Sequence, residues 1–287
     1  MDLHSLLPLM EKMPAYNRLL DKINAARDNV SVAALDAARS YLIAAIYSML
    51  ELPIIVITAH PDKAKKLYDE LLSWSPSPQV MYFPEPDALP YQRLASDAAT
   101  EADRIHALYA LVNNESSSTP PLIVTSAPAL MYKTTPVADF MSTIHTIEPG
   151  MRVDPYKLLR RWESMGYRLE STAEVPGTMS HRGGIVDIYP TTSEMPVRLE
   201  FFGNTIDSIR LFEPVSQRSQ SGVSAVTVTP ATELLSLLLH RPKDLKTSLG
   251  SLDLSRCNPE AKAQFKQDLS MLQDRQRAPN MMFYAPL

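Results

Sequence analysis

Short apolar runs and amphipathic helical patterns alternate along the first 147 residues. Runs rich in β-branched residues predict strands, and apolar positions three and four residues apart predict helices. The strands are expected at 29–33, 53–58, 80–83 and 120–125, and the helices at about 36–50, 61–74 and 100–112. The second of these strands is continuously apolar, which is typical of a strand buried on both faces. Regular alternation of strand and helix predicts an α/β domain with a parallel sheet.

One apolar stretch, residues 41–59, is as long as a membrane span. Glu51 and Pro53 divide it, and each half is too short to cross a bilayer. The stretch therefore predicts a buried helix that runs into a buried strand.

The pattern changes around Gly150. After a helix predicted over 154–165, short strands with alternating apolar and polar positions follow one another. Turns such as Phe202-Gly203-Asn204 join them, as in antiparallel hairpins. These strands are expected at 184–189, 196–202, 208–212 and 224–228, and helices return at 233–240 and 259–276.

The fold class predicted from this order is α/β, with a parallel sheet interrupted by a smaller α+β domain that has an antiparallel sheet. We expect the first domain over 1–147, the inserted domain over 148–230 and a return to the first domain over 231–287. An apolar run at 281–284 would normally be covered by following chain, so the first domain is expected to be truncated at its C-terminus.

One predicted strand of the inserted domain carries the most informative pattern. Its apolar positions are Val197, Leu199 and Phe201. They alternate with Arg198, Glu200 and Phe202, which must therefore point to the opposite face. Arginine and aromatic side chains on one solvent-directed face are typical of protein interfaces. Alternatively, Phe202 covers a hairpin edge while Arg198 forms a weak surface ion pair with Glu200. The pattern alone leaves both interpretations open.

A second strand begins after His181-Arg182-Gly183-Gly184. Two consecutive glycines indicate a bulge or a close approach of backbones, so the face that Arg182 occupies is not defined by the pattern. The alternative to an interface role for Arg182 is a structural ion pair with Asp187 or Glu200.

Composition excludes several classes of site. All eight glycines lie at or beyond Gly150, so the first 149 residues contain neither a Walker A loop nor a dinucleotide fingerprint. A net charge of −4 provides no global attraction to nucleic acid. One cysteine and six scattered histidines predict no disulfide framework, metal site or cofactor. The N-terminus lacks the basic segment of a signal peptide, and we expect a cytoplasmic protein.

Residues 180–190, 196–203 and 206–219 carry a resemblance to a known family. They resemble the inserted domain shared by the excision-repair protein UvrB and bacterial transcription-repair coupling factors. The similarity is specific over about 158–219, and the flanking segments resemble the family more weakly but in the same order. Two short stretches, Leu89–Arg93 and Ser216–Ser219, favour the coupling factors.

The resemblance implies that a helicase-like (RecA-type) domain surrounds the insert. In UvrB that domain binds ATP, whereas here Arg39 and Ser40 stand where the phosphate loop would have Lys-Thr, and no glycine precedes them. The short segment at 83–91 also differs from the long DNA-gripping hairpin of UvrB. The family thus implies a degenerate, non-catalytic domain, although a nucleic-acid-dependent ATPase or a direct DNA-binding module of the UvrB type remains the alternative.

For the insert, the resemblance implies binding of UvrA, the damage-recognition protein. Residues important in the family fall on Arg182, Arg198 and Phe202, which favours the interface interpretation. Glu200, on the same face, is expected to support them. For a longer parent protein the resemblance implies further domains that bind RNA polymerase and translocate on DNA by ATP hydrolysis. It also implies a C-terminal domain of the same parent chain that masks the UvrA-binding surface.

Overall fold

A computed structural model describes residues 3–25, 29–50, 52–75, 80–86, 97–114, 119–233 and 252–273. The chain divides into two units. The first unit combines residues 1–85 with 107–131, and the second combines residues 86–106 with 132–287.

A parallel sheet of three strands forms the centre of the first unit, in the order β1-β3-β2. The strands are β1 (Ile54–Thr58), β2 (Val80–Phe83) and β3 (Leu122–Ser126). The helices are α1 (Pro14–Ala25), α2 (Arg39–Leu50), α3 (Pro61–Trp74), the second half of α4 (Ala98–Val112) and α5 (Ala127–Leu130), with 3₁₀ turns at Leu3–Lys12 and Asp36–Ala38. Val124 of β3 lies between Val56 and Tyr82 in register. The predicted α/β pattern is therefore confirmed for this unit.

Two predictions for the first unit are wrong. Residues 29–33 form no strand, and residues 30–35 instead line a cavity of about 530 Å³ beside α1 and α2. Strand β1 is not buried on both faces, since Ile55 and Ile57 are 49% and 56% exposed. β1 is an edge strand of the described sheet, and the side chains that cover this face pack on β2 and β3. The fully buried strand is β3.

The apolar stretch at 41–59 folds as a helix followed by a strand, as predicted, since α2 ends at Leu50 and β1 begins at Ile54. Within the residues that the structure describes, no helix has the length and apolar character needed to span a membrane.

In the second unit, six strands form a sheet in the order β10-β9-β8-β7-β6-β5, antiparallel except between β5 and β6. They are β5 (Arg168–Leu169), β6 (Thr178–Arg182), β7 (Ile185–Ile188), β8 (Val197–Phe202), β9 (Thr205–Phe212) and β10 (Ser219–Gly222). β4 (His145–Ile147) pairs with β11 (Val226–Val228). The helices are α6 (Val137–Thr143), α7 (Pro155–Ser164), α8 (Pro259–Gln273) and the first half of α4. The predicted antiparallel sheet is confirmed.

Helix α7 covers the inner face of the six-stranded sheet. It begins where the sequence predicts, because the Asp154 carboxylate accepts the Tyr156 N–H at 2.8 Å and Pro155 fits the first turn. Leu158, Leu159 and Trp162 are buried at helical spacing and belong to one core cluster with apolar side chains of β7, β8 and β9. This core fixes which face of the sheet remains available to solvent.

Some sequence predictions lie outside the described residues. They are most of the helix at 233–240, the end of the helix at 259–276, Leu89–Arg93 and the apolar run at 281–284.

The environment of His145 predicts that the stability of the second unit depends on pH. The indole N–H of Trp162 donates to His145 Nε2 at 3.1 Å, so Nδ1 carries the proton and donates to the Thr143 carbonyl at 2.8 Å. Burial lowers the pKa of His145 from 6.5, the nearby Arg161 charge lowers it further, and the Thr143 bond opposes both. The unfolded chain therefore binds more protons than the folded chain as the pH falls below about 6.5. We predict a lower melting temperature at pH 5.5 than at pH 7.5.

A His145→Gln variant isolates this effect, because burial also lowers the pKa of His106 and contributes with the same sign. Thermal melts should show a smaller pH dependence in the variant than in the parent chain. Equal pH dependence of the two proteins would contradict the assignment.

Candidate protein-interaction site

Strand β8 presents two chemically different faces. Val197 and Leu199 are buried in the core below the sheet, whereas Arg198, Glu200 and Phe202 point to the opposite side. We call this side the outer face, and it carries Arg182, Asp187, Arg198, Glu200, Phe202, Ser208 and Arg210. The predicted division of β8 between two faces is confirmed.

The register also defines the position of Arg182. Arg182 pairs with Ile185 across a two-residue turn, and Ile185 pairs with Glu200 of β8. Directly paired residues of antiparallel strands share a face, so Arg182 lies on the outer face. Gly183 has a φ of 59°, and a Cβ on Gly184 would lie 3.0 Å from the Phe201 carbonyl oxygen. The two glycines thus permit a tight turn and the close backbone approach that the sequence suggested.

A buried ion pair joins β7 to β8 beneath the outer surface. Arg198 Nε and Nη2 each donate to an Asp187 carboxylate oxygen at 2.8 Å. The Asp187 and Arg198 side chains are only 1% and 11% exposed. Two parallel charge-assisted hydrogen bonds fix the guanidinium plane, and the hydrogen bonds to Asp187 raise the pKa of Arg198.

The same guanidinium holds the turn between β9 and β10. Arg198 Nη1 donates to the Gln217 backbone carbonyl at 3.2 Å, and Nη2 lies 3.4 Å from the Gln217 side-chain oxygen. Its central carbon is 4.6 Å from the centre of the Phe212 ring. The expectation that Arg198 faces solvent is therefore wrong, because Asp187 and Gln217 enclose it. Its ion-pair partner is Asp187 rather than Glu200.

Two predicted residues remain accessible on the outer face. The Phe202 side chain is 84% exposed at the end of β8, so it does not cover the hairpin edge. Arg182 is 57% exposed and only 3.9 Å from Asp187 at its closest, a weak contact for a carboxylate that already binds Arg198. Glu200 is half-buried and accepts a hydrogen bond from Ser208 at 2.5 Å. The outer face thus exposes an aromatic ring and a cation together.

Sequence reasoning missed part of this arrangement. Asp187 stands between apolar Val186 and Ile188, and its place in the alternation could have indicated a polar partner on the outer face. The contact with Gln217 has no such signal, because it depends on a turn 19 residues away.

Arg39 and Ser40, the two residues predicted from the resemblance to stand at a degenerate phosphate loop, lie in the first unit. Arg39 Nη2 is 2.8 Å from the Asp36 carboxylate, and both side chains are exposed. Ser40 is buried at the start of α2. The Asp36 carboxylate therefore already pairs with the Arg39 cation at the position predicted for the phosphate loop.

Comparison with known proteins links the outer face to a family. Residues 145–234 match the family model of the UvrB interaction domain. All seven side chains that define the outer face lie within the matched residues, and the resemblance inferred from the sequence is confirmed.

The similarity extends beyond the UvrB interaction domain. The chain is 31% identical to a transcription-repair-coupling factor of Myxococcus xanthus over 234 residues, which are 79% of this chain and 19% of the relative. It is 31% identical to that of Bacillus subtilis (strain 168) over 217 residues, 76% of this chain and 18% of the relative. It is 29% identical to that of Staphylococcus aureus (strain USA300) over 215 residues, 74% of this chain and 18% of the relative. The chain thus spans about a fifth of the length of the curated relatives it matches.

The buried ion pair predicts that replacing two acidic residues of the outer face lowers the free energy of unfolding by different amounts. Asp187→Asn leaves the buried Arg198 charge without its partner, so the free energy of unfolding should fall by about 3–5 kcal/mol. Glu200→Gln is the matched control, and because its contact with Arg210 is 3.9 Å long and partly exposed, it should cost less than about 1 kcal/mol. Urea unfolding of both variants measures the difference, and equal losses would contradict a dominant role of the Asp187–Arg198 pair.

Proposed function

We propose that the UvrB interaction domain of this chain binds UvrA, and that the chain acts as a non-catalytic adaptor, the N-terminal module of a transcription-repair coupling factor. The observation that carries this proposal is that the exposed Phe202 ring and the accessible cation of Arg182 lie on the same outer face. The match of residues 145–234 to the UvrB interaction domain supports the choice of partner.

Phe202 is the proposed apolar anchor. A large aromatic side chain that is 84% exposed leaves apolar surface in water, and this surface would be removed from water in a pocket of the partner. Interfaces concentrate their binding energy in a few such central residues, with polar groups around them. The exposed ring contributes little to the core of its own domain, and the hairpin turn at Gly203, with a φ of 60°, directly follows it.

The charged residues have separate roles in this proposal. Arg182 can form a bidentate contact with a carboxylate of UvrA, since its ion-pair distance to Asp187, the one carboxylate near it among the described residues, is as long as 3.9 Å. Arg198 supports the surface by holding Asp187 and the turn at Gln217, and the small exposed part of its guanidinium adds positive potential. Glu200 stays a supporting residue through Ser208. UvrA is expected to present an apolar pocket with carboxylates at its rim.

The first unit is proposed to be a degenerate helicase-like domain of the RecA type. Its parallel sheet is compatible with that origin, and the domain limits 1–147, 148–230 and 231–287 remain part of the proposal. The Asp36 carboxylate beside Arg39 and the burial of Ser40 disfavour phosphate binding. The alternatives, a nucleic-acid-dependent ATPase and a UvrB-type DNA-binding module, gain no support from any described contact.

In a longer parent protein, this module would connect UvrA to a stalled RNA polymerase. The resemblance to coupling factors supports further domains that bind the polymerase and translocate on DNA using ATP. It also supports a C-terminal domain that covers the outer face until UvrA is needed.

Substitution of Phe202 tests the proposal. Phe202→Ala should weaken binding of purified UvrA by about thirtyfold or more, corresponding to about 2 kcal/mol for a central anchor. The exposed ring makes no large contribution to folding, so circular dichroism and the unfolding midpoint should be unchanged. Isothermal titration calorimetry gives the affinity.

Tyr156→Ala is the matched control, because Tyr156 is also an exposed aromatic residue (60%) but lies on α7, below the sheet. It should bind UvrA like the parent chain. Unchanged affinity of Phe202→Ala, or equal losses in both variants, would contradict the assignment of the outer face.

A further inference from the structure

A short segment before α7 extends the outer face beyond β9. Gly150 N–H donates to the Ile206 carbonyl at 2.7 Å, and Ile206 N–H donates to the Met151 carbonyl at 2.9 Å. Val153 N–H donates to the Asn204 carbonyl at 2.8 Å. These bonds hold residues 150–153 as an antiparallel edge beside the start of β9, with Arg152 directly opposite Thr205.

The bonds define the side on which Arg152 lies. They lie on either side of the Arg152–Thr205 pair and do not join its two residues to each other, so this is a non-hydrogen-bonded pair. In such pairs the side chains of opposite residues lie closest together. Thr205 in turn pairs with Phe202 of β8. Arg152, Thr205 and Phe202 therefore form one row on the outer face. Directly paired residues of antiparallel strands have Cα atoms about 4.5–5.5 Å apart, so across two such pairs the Cα atoms of Arg152 and Phe202 are about 10 Å apart.

Arg152 is an exposed cation that forms no ion pair with any residue that the structure describes. No carboxylate oxygen of a described residue lies within 4.0 Å of its guanidinium. This distinguishes it from Arg198, which binds Asp187 through two bonds, and from Arg210, which is 3.9 Å from Glu200. An exposed guanidinium in this state retains all its donors for an external carboxylate.

The two accessible arginines, Arg182 and Arg152, lie on opposite sides of Phe202. Strand β6, which carries Arg182, is two strands from β8 on one side, and the segment at 150–153 is two strands from β8 on the other. The exposed ring thus has a cation on each side of its strand. A partner surface with a pocket for the ring would meet one cation on each side of that pocket.

We propose that Arg152 is a further contact residue of the outer face, and that it binds a carboxylate on UvrA on the side of the hairpin opposite to Arg182. The proposal rests on the proposed function of the outer face. It adds a requirement on the partner, which must place acidic side chains on two opposite sides of the pocket that receives Phe202.

Binding of purified UvrA to the full chain tests this contact by biolayer interferometry at two salt concentrations. Arg152→Gln should weaken binding about tenfold at 0.1 M salt, mainly through slower association, and Arg152→Glu should weaken it further. At 0.5 M salt the difference from the parent chain should shrink, because screening weakens a contact between exposed charges. Arg160→Gln is the control, since Arg160 is exposed on α7, below the sheet, and should bind normally.

The outcomes separate this inference from the proposed function. If Phe202→Ala loses binding while both Arg152 variants bind like the parent chain, the Arg152 contact is wrong and the proposed function stands. If Arg152→Gln and Arg160→Gln lose affinity equally, the effect is one of net charge and the contact is also wrong. If the parent chain does not bind UvrA, the proposed function fails and this inference fails with it.

Discussion

The ion pair between Asp187 and Arg198 determines which side chains of the outer face are accessible to a partner. It joins two neighbouring strands, and through Gln217 it holds the turn that follows β9. Burying this pair is favourable only because two short hydrogen bonds and further contacts satisfy the guanidinium. As a result, the central arginine of the face is structural, and the groups left for a partner are the side chains around it.

Local patterns were sufficient for the parts of the fold that depend on neighbouring residues. Helix α7 could be predicted because Asp154 caps it, Pro155 fits its first turn and its buried residues follow the helical period. The two faces of β8 follow from the pleat alone, and the exposure of Phe202 followed once its apolar neighbours were assigned to the core. The family resemblance added the partner, which no periodicity contains.

Features that depend on distant residues could not be read from the chain. The apolar run of β1 has the composition of a central strand, yet its exposure depends on its place at the edge of the sheet. The alternation placed Arg198 on the correct face but could not show that Asp187, on another strand, encloses it. The position of Arg152 likewise depends on pairing with Thr205, 53 residues later, and becomes visible only when the strands are assembled.

Site-specific photocrosslinking tests whether the proposed anchor, the Phe202 side chain, enters a pocket of UvrA. A chain with Phe202→p-benzoylphenylalanine is irradiated with purified UvrA, alongside a chain with the same replacement at Tyr156. If Phe202 is the anchor, a covalent product with UvrA forms from position 202 and none forms from position 156. A product from position 156 alone, with none from position 202, would place UvrA on α7 and overturn the assignment of the outer face.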